Sequence, residues 1–243
     1  MKQRAHLLLG GLVLALSFPA HGQGTFQNLD FESPILPLVH VGGPFDFVAS
    51  SSAVPGWTLF LGTNQQSRVL FNNYFNGTAT IGLLGPGLTN SFPTFPRIID
   101  GAYTITLQAG ADPRIPVDPP LLVAAMTQSS LVPVSARSMQ LKAYTFSGPN
   151  GQFAVSLDGQ IINMVVLSST VNYTLYGGDI TPYAGLNADL RIATLASPAF
   201  PFSSFAFDSI VFSDQVVPEP SVIALATLGA LLLGWRLFSK LSQ

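Results

Sequence analysis

The sequence predicts an all-β chain, an antiparallel β-sandwich, and three observations carry the prediction. Between residues 23 and 216, short runs rich in Val, Ile, Thr, Phe and Tyr are punctuated by Gly, Pro, Asn and Ser, and no helix of ordinary length is visible. Apolar and polar residues alternate with period two in 139–145, where Gln140 and Lys142 point one way and Met139, Leu141 and Ala143 the other, and again in 153–157. Asp158-Gly159 then separates 153–157 from 161–167 with the spacing and chemistry of a tight hairpin.

The elements follow in order. Strands are predicted at 26–31, 57–61, 103–107, 121–127, 139–145, 153–157, 161–167, 173–176, 190–195 and 205–212. Segment 97–101 is a loop, as is 112–120, which holds four prolines in nine residues. The glycine cluster from Gly82 to Gly87 is predicted as a turn, since it lacks the Lys-Ser/Thr pair and following helix of a phosphate-binding loop. Trp57 follows Pro55-Gly56 at a strand start, where a large core anchor fixes the entry of the chain.

Both ends read as addresses rather than as fold. Lys2 and Arg4 precede an uncharged run over 7–18, and Ala20 and Gly22 supply small residues before cleavage, the pattern of a secretory signal peptide over 1–22 with Gln23 as first mature residue. The remaining chain divides into an ectodomain over 23–216 and a tail over 217–243. The tail carries Pro218-Glu219-Pro220 within 217–221, an apolar segment over 222–238 and a basic stub to 243. That segment stays apolar on every helical face, as a single transmembrane helix does. It falls slightly short of the roughly 20 residues that a bilayer core of about 30 Å requires, so it leaves no room for tilt and calls for a locally thinned bilayer. Arg236 and Lys240 are retained on the cytoplasmic side, which puts everything before Pro218 outside the cytoplasm.

This order resembles the PEP-CTERM sorting signal of Gram-negative bacteria, with Pro218, Glu219 and Pro220 as its motif. The resemblance implies an exosortase as partner, a membrane-embedded cysteine transpeptidase-like enzyme that cleaves near the motif, with transfer to the cell surface or extracellular matrix. The family's denser arginine cluster is represented here by Arg236 and Lys240 alone. The two prolines fix φ near −65° and delay the helix, leaving the Glu219 carboxylate in an extended, accessible segment.

Two further stretches, 28–32 with 54–57 downstream and the closing run 205–212, resemble the first and last strands of galactose-binding-like jelly rolls. Segment 176–180, followed by Ala184-Gly185 and Leu190-Arg191, is similar to a penultimate loop and strand of PEP-CTERM ectodomains. In carbohydrate-binding relatives a glutamate of the first strand and an aspartate of the last help to hold a structural calcium, and Glu32 and Asp208 stand at those positions. Asp30 and Glu32 on one strand face would lie about 6.6 Å apart, and oxygen ligands suit calcium. The favoured account of Asp30 and Glu32 is as solvated edge residues, since three carboxylates are few for calcium, and Asp208 is also satisfied by pairing with Arg191.

Composition excludes several functions. Segment 23–216 holds eleven acidic and six basic residues, a net charge of −5, and has no basic patch to neutralise phosphates, so no nucleic-acid partner is expected. The chain has no cysteine, so the ectodomain relies on its core, and zinc sites lack ligands. Its mature part has one histidine, His40, among Leu38, Val39 and Val41 as a strand residue, and it has no Gly-x-Ser-x-Gly elbow. The chain is therefore expected not to be an enzyme. The leading expectation is a surface or matrix component whose low charge suits contact with neutral exopolysaccharide. A carbohydrate-binding module is the alternative, with Trp57, Tyr74, Tyr103, Tyr144, Tyr173 and Tyr183 as rings that can stack on sugars, and a glycan hydrolase is the third reading.

Overall fold

The computed structural model describes residues 25–36, 39–40, 46–73, 78–88, 97–145, 153–195 and 202–217. The leader over 1–22, Tyr74, the motif Pro218-Glu219-Pro220, the segment 222–238, Arg236 and Lys240 lie outside these residues. Among the described residues no helix is long and apolar enough to cross a membrane.

The chain runs through β1 (Val39–His40), β2 (Asp46–Ala49), a single helical turn α1 (Ser50–Ala53), β3 (Thr58–Leu61), β4 (Asn64–Gln65), β5 (Arg68–Phe71) and β6 (Thr80–Leu84). It continues through β7 (Thr104–Gln108), β8 (Gly110–Ala111), β9 (Leu121–Leu122), β10 (Ala124–Leu131), β11 (Ser138–Thr145) and β12 (Phe153–Leu157). Last come β13 (Gln160–Ile162), β14 (Val165–Ser169), β15 (Thr174–Asp179), β16 (Asn187–Thr194) and β17 (Ser204–Ser213). Nine strands form one sheet in the order β1-β2-β5-β6-β7-β17-β11-β15-β14, and six form the facing sheet in the order β13-β12-β16-β10-β3-β4. The β-sandwich expected from the alternation is thus present.

Its core is the surface where the two sheets meet. Ile105, Leu107, Met139, Leu141, Phe205 and Phe207 of the larger sheet pack with Leu59, Met126, Val155, Leu157, Leu190 and Ile192 of the smaller, all fully buried. Phe205 stacks between Phe153 and Phe207 at centroid distances of 4.9 and 5.2 Å, and Phe31 meets Phe207 edge-on at 5.5 Å. Such pairs add about 0.5–1.5 kcal/mol each beyond burial. Trp57 is buried as expected, and its indole N–H donates to the Asn28 carbonyl at 3.1 Å.

The hairpin at Asp158-Gly159 has both central residues at positive φ, 48° and 76°, and pairs Leu157 with Gln160 directly across the turn. That is the two-residue type I′ geometry, whose twist suits the flanking strands.

Four expectations are corrected. Segment 26–31 is not a strand, because Asn28 and Phe31 adopt φ of 50° and 57° and break the extended path. It is tied to both sheets: Gln128 of β10 accepts from the Gln27 N–H at 2.6 Å and donates to the Gln27 carbonyl at 3.0 Å, and the Ile210 N–H of β17 donates to the Leu29 carbonyl at 2.9 Å. Asp30 and Glu32 therefore do not share a strand face. The glycine cluster begins inside β6, where Gly82 faces Thr106 with no room for a Cβ. Segment 161–167 is two strands, β13 in one sheet and β14 in the other, with Asn163-Met164 carrying the chain across the sandwich edge. Pairing is not wholly antiparallel, since β5 and β6 run parallel, Leu70 opposite Gly82.

Candidate functional site

Residues 97–103, the end of the connection from β6 to β7, lie beside β11 and β17 of the nine-stranded sheet, and three carboxylates fasten this end. Glu32 accepts from the Ala102 and Tyr103 N–H groups, both at 2.9 Å. Gly101, at φ 57°, leaves the space that this carboxylate fills. Asp100 accepts from Lys142 and from the Ser209 hydroxyl, the latter at 3.0 Å, and its carboxyl is held below the ordinary range chiefly by the Lys142 hydrogen bond. Asp208, only 1% exposed, accepts from the Thr104 hydroxyl at 2.6 Å and from the Ser209 N–H at 2.7 Å. Burial outweighs those bonds and pushes its carboxyl up to about 7.

Glu32 and Asp208 thus fasten the same end of one loop, while Asp30 is the acceptor for the Glu32 N–H at 3.3 Å. Their oxygens are engaged by protein donors, and among the described residues no three His, Asp or Glu side chains gather as metal ligands. Calcium gains no support from this geometry. Arg191 lies on β16 in the opposite sheet and is not the partner of Asp208.

Beside this anchored loop, three elements assemble a surface of rings and cations. Lys142 and Tyr144, two apart on β11, share the outward face because period-two alternation sends Leu141 and Ala143 into the core. Arg97, from the β6–β7 connection, lays its guanidinium 5.0 Å from the centroid of the Tyr144 ring and donates to the Asn172 side-chain oxygen at 3.0 Å. Lys142 Nζ stands 5.3 Å from the centroid of the neighbouring Tyr173 ring while bonding Asp100. The turn before β15 fixes Asn172 and Tyr173, because the Thr170 hydroxyl accepts from both their N–H groups, at 3.2 and 3.1 Å. Arg97, Tyr144 and Tyr173 are half-buried and Asn172 is exposed. Two aromatic rings, two cations, an amide and a carboxylate therefore converge on one surface.

Of the six rings that the sequence offered for stacking, Tyr144 and Tyr173 stand here. Trp57 belongs to the core, and Tyr103 and Tyr183 pack against it. Sequence reasoning dismissed 97–101 as a plain loop and so missed Arg97 and Asp100. The available signal was the outward pair Lys142 and Tyr144, both on a surface-facing register. A cleft of about 440 Å³ opens elsewhere, at the sandwich edge where Asn163-Met164 crosses, and Phe153, Ile161, Ile162, Met164 and Tyr176 make it apolar. Its lining includes one side-chain amide, Asn163, and no charged residue.

No family model matches the chain, and no curated protein matches it. Among solved structures it is similar to the enzymatically active domain of tailspike protein 4 from bacteriophage CBA120, at 13% identity and a TM-score of 0.34, over 65% of this chain and 19% of that one. The chain thus spans about a fifth of that structure's length. The expectation that the chain is not an enzyme is withdrawn as a correction: the similar structure is an enzymatically active domain, a property stated of that protein alone. A shortage of nucleophiles and bases read from sequence does not decide the matter, because function resides in a site and not in a fold. At a TM-score of 0.34 the likeness carries no argument about the activity of this chain.

Proposed function

We propose that this chain is an exported β-sandwich of jelly-roll type that associates with extracellular polysaccharide through the surface formed by Tyr144 and Tyr173. The observation that carries the reading is the convergence of these rings with Arg97, Lys142, Asn172 and Asp100 on the outward sheet face. A sugar offers apolar C–H faces to aromatic area and hydroxyls to charged and amide groups, and this surface supplies both kinds of partner. Export and display rest on the leader over 1–22 and on the Pro218-Glu219-Pro220 tail with Arg236 and Lys240, read as an exosortase signal.

Two experiments test the two halves. Affinity electrophoresis through gels containing polysaccharides measures retardation of the mature domain. Tyr144→Ala and Tyr173→Ala each weaken binding about tenfold, equivalent to about 1.4 kcal/mol, if the rings carry it; unaltered retardation in the double variant refutes the surface. For sorting, intact mass in a host with and without exosortase is compared for the natural chain and Glu219→Ala. Loss of the tail only when enzyme and glutamate are both present supports processing, and an unchanged mass in the membrane fraction leaves a simple anchor.

A further inference from the structure

We infer that the polymer recognised is acidic, a polysaccharide carrying carboxylates on its sugars, and that Arg97 is the residue that reads the charge. The inference rests on the saccharide-binding reading above and names its ligand class, in place of the neutral polymer that the low charge of the chain suggests.

The two cations of the surface are in different states. Lys142 is matched by Asp100, so that pair brings no net charge to a ligand. Arg97 has no carboxylate partner among the described residues, although the ectodomain has an excess of acidic groups. Its guanidinium is instead positioned by neutral groups, the Tyr144 face at 5.0 Å and the Asn172 oxygen at 3.0 Å. A guanidinium carries five N–H donors in a rigid fork, and the bond to Asn172 uses only part of them. The contact with the Tyr144 ring uses no N–H acceptor pair, so donors remain for a planar acceptor, and a carboxylate matches a guanidinium edge with two parallel hydrogen bonds. A neutral sugar has hydroxyls but no such acceptor. The net charge of −5 over 23–216 does not forbid an acidic ligand, because exposed charges more than about 8 Å away are largely screened at physiological salt, whereas a contact pair is not.

The test compares polygalacturonate with the same polymer after methyl esterification, alongside a neutral glucan, all at 0.15 M salt. The natural domain is expected to bind the free acid at least tenfold more tightly than the ester. Arg97→Gln reduces that preference to about twofold, while Arg97→Lys, which restores charge without the fork, recovers only part of it. Thermal melting of each variant verifies the fold. Equal binding of acid and ester by the natural domain overturns the acidic class and leaves saccharide binding standing, as does binding of the glucan alone. Full preference retained in Arg97→Gln overturns the role of Arg97. Failure to bind any of the three polymers overturns the inference and the saccharide reading together.

Discussion

Asp208 is buried beside Thr104, Ser209 and Asp100, and this environment raises its carboxyl from the ordinary 3.8 to about 7. A group whose acidity is weakened by folding contributes stability that is full below about 3.8 and is lost as pH rises through about 7. Asp100, Asp179 and Asp112 act in the opposite sense, since each is held below the ordinary value in the folded chain, Asp112 down to about 2 by Arg114. Their contributions disappear on acidification. Thermal denaturation between pH 5 and 9 therefore separates the two effects: Asp208→Asn, which cannot ionise, gains on the natural chain as pH rises through 7. A difference independent of pH contradicts the assignment. The sequence predicted a closing strand over 205–212 that holds Asp208, and a resemblance alone associated Glu32 with it. It did not disclose that Glu32 is committed to the Ala102 and Tyr103 amides, because that depends on a left-handed Gly101 seventy residues away.

Elements differ in how far local pattern determined them. β12 matches its predicted bounds, and the β12–β13 turn follows from Asp-Gly chemistry acting over four residues. Segment 26–31 misled because Leu29 and Phe31 are two apart, as on a strand face, while Asn28 and Phe31 take positive φ, which lets Phe26, three residues before Leu29, be buried with them. Short strands such as β2 and β5 escaped notice because their pairing, not their composition, defines them. Two glycines allow a comparison within adjoining elements. A Cβ on Gly178 of β15 would collide with Ile162 and with Met164 Sδ at 2.8 Å, so Gly178→Ala is expected to cost about 1–3 kcal/mol in urea denaturation through overpacking. Gly159 at the hairpin has no neighbour within 4 Å, so Gly159→Ala costs only the strain of its left-handed backbone, about 1 kcal/mol. Equal losses at the two sites contradict the packing described at the sandwich edge.

For the whole molecule, the division into leader, ectodomain and tail is an expectation drawn from contiguous residues, and the leader and the tail from Pro218 onward lie outside the described residues. The candidate surface is not legible in contiguous residues, since Arg97, Lys142, Tyr144, Asn172 and Tyr173 meet only after β11, β15 and the β6–β7 connection are laid side by side. Alternation put Lys142 and Tyr144 on the outward face, and nothing local placed Arg97 over the ring. The most direct measurement is a titration of the isotopically labelled mature domain with oligogalacturonate, followed residue by residue through amide and aromatic NMR shifts. Perturbations centred on Arg97, Lys142, Tyr144, Asn172 and Tyr173 are the predicted result. Perturbations centred on the apolar cleft at Phe153, Ile162 and Met164, with the ring surface silent, would contradict the account.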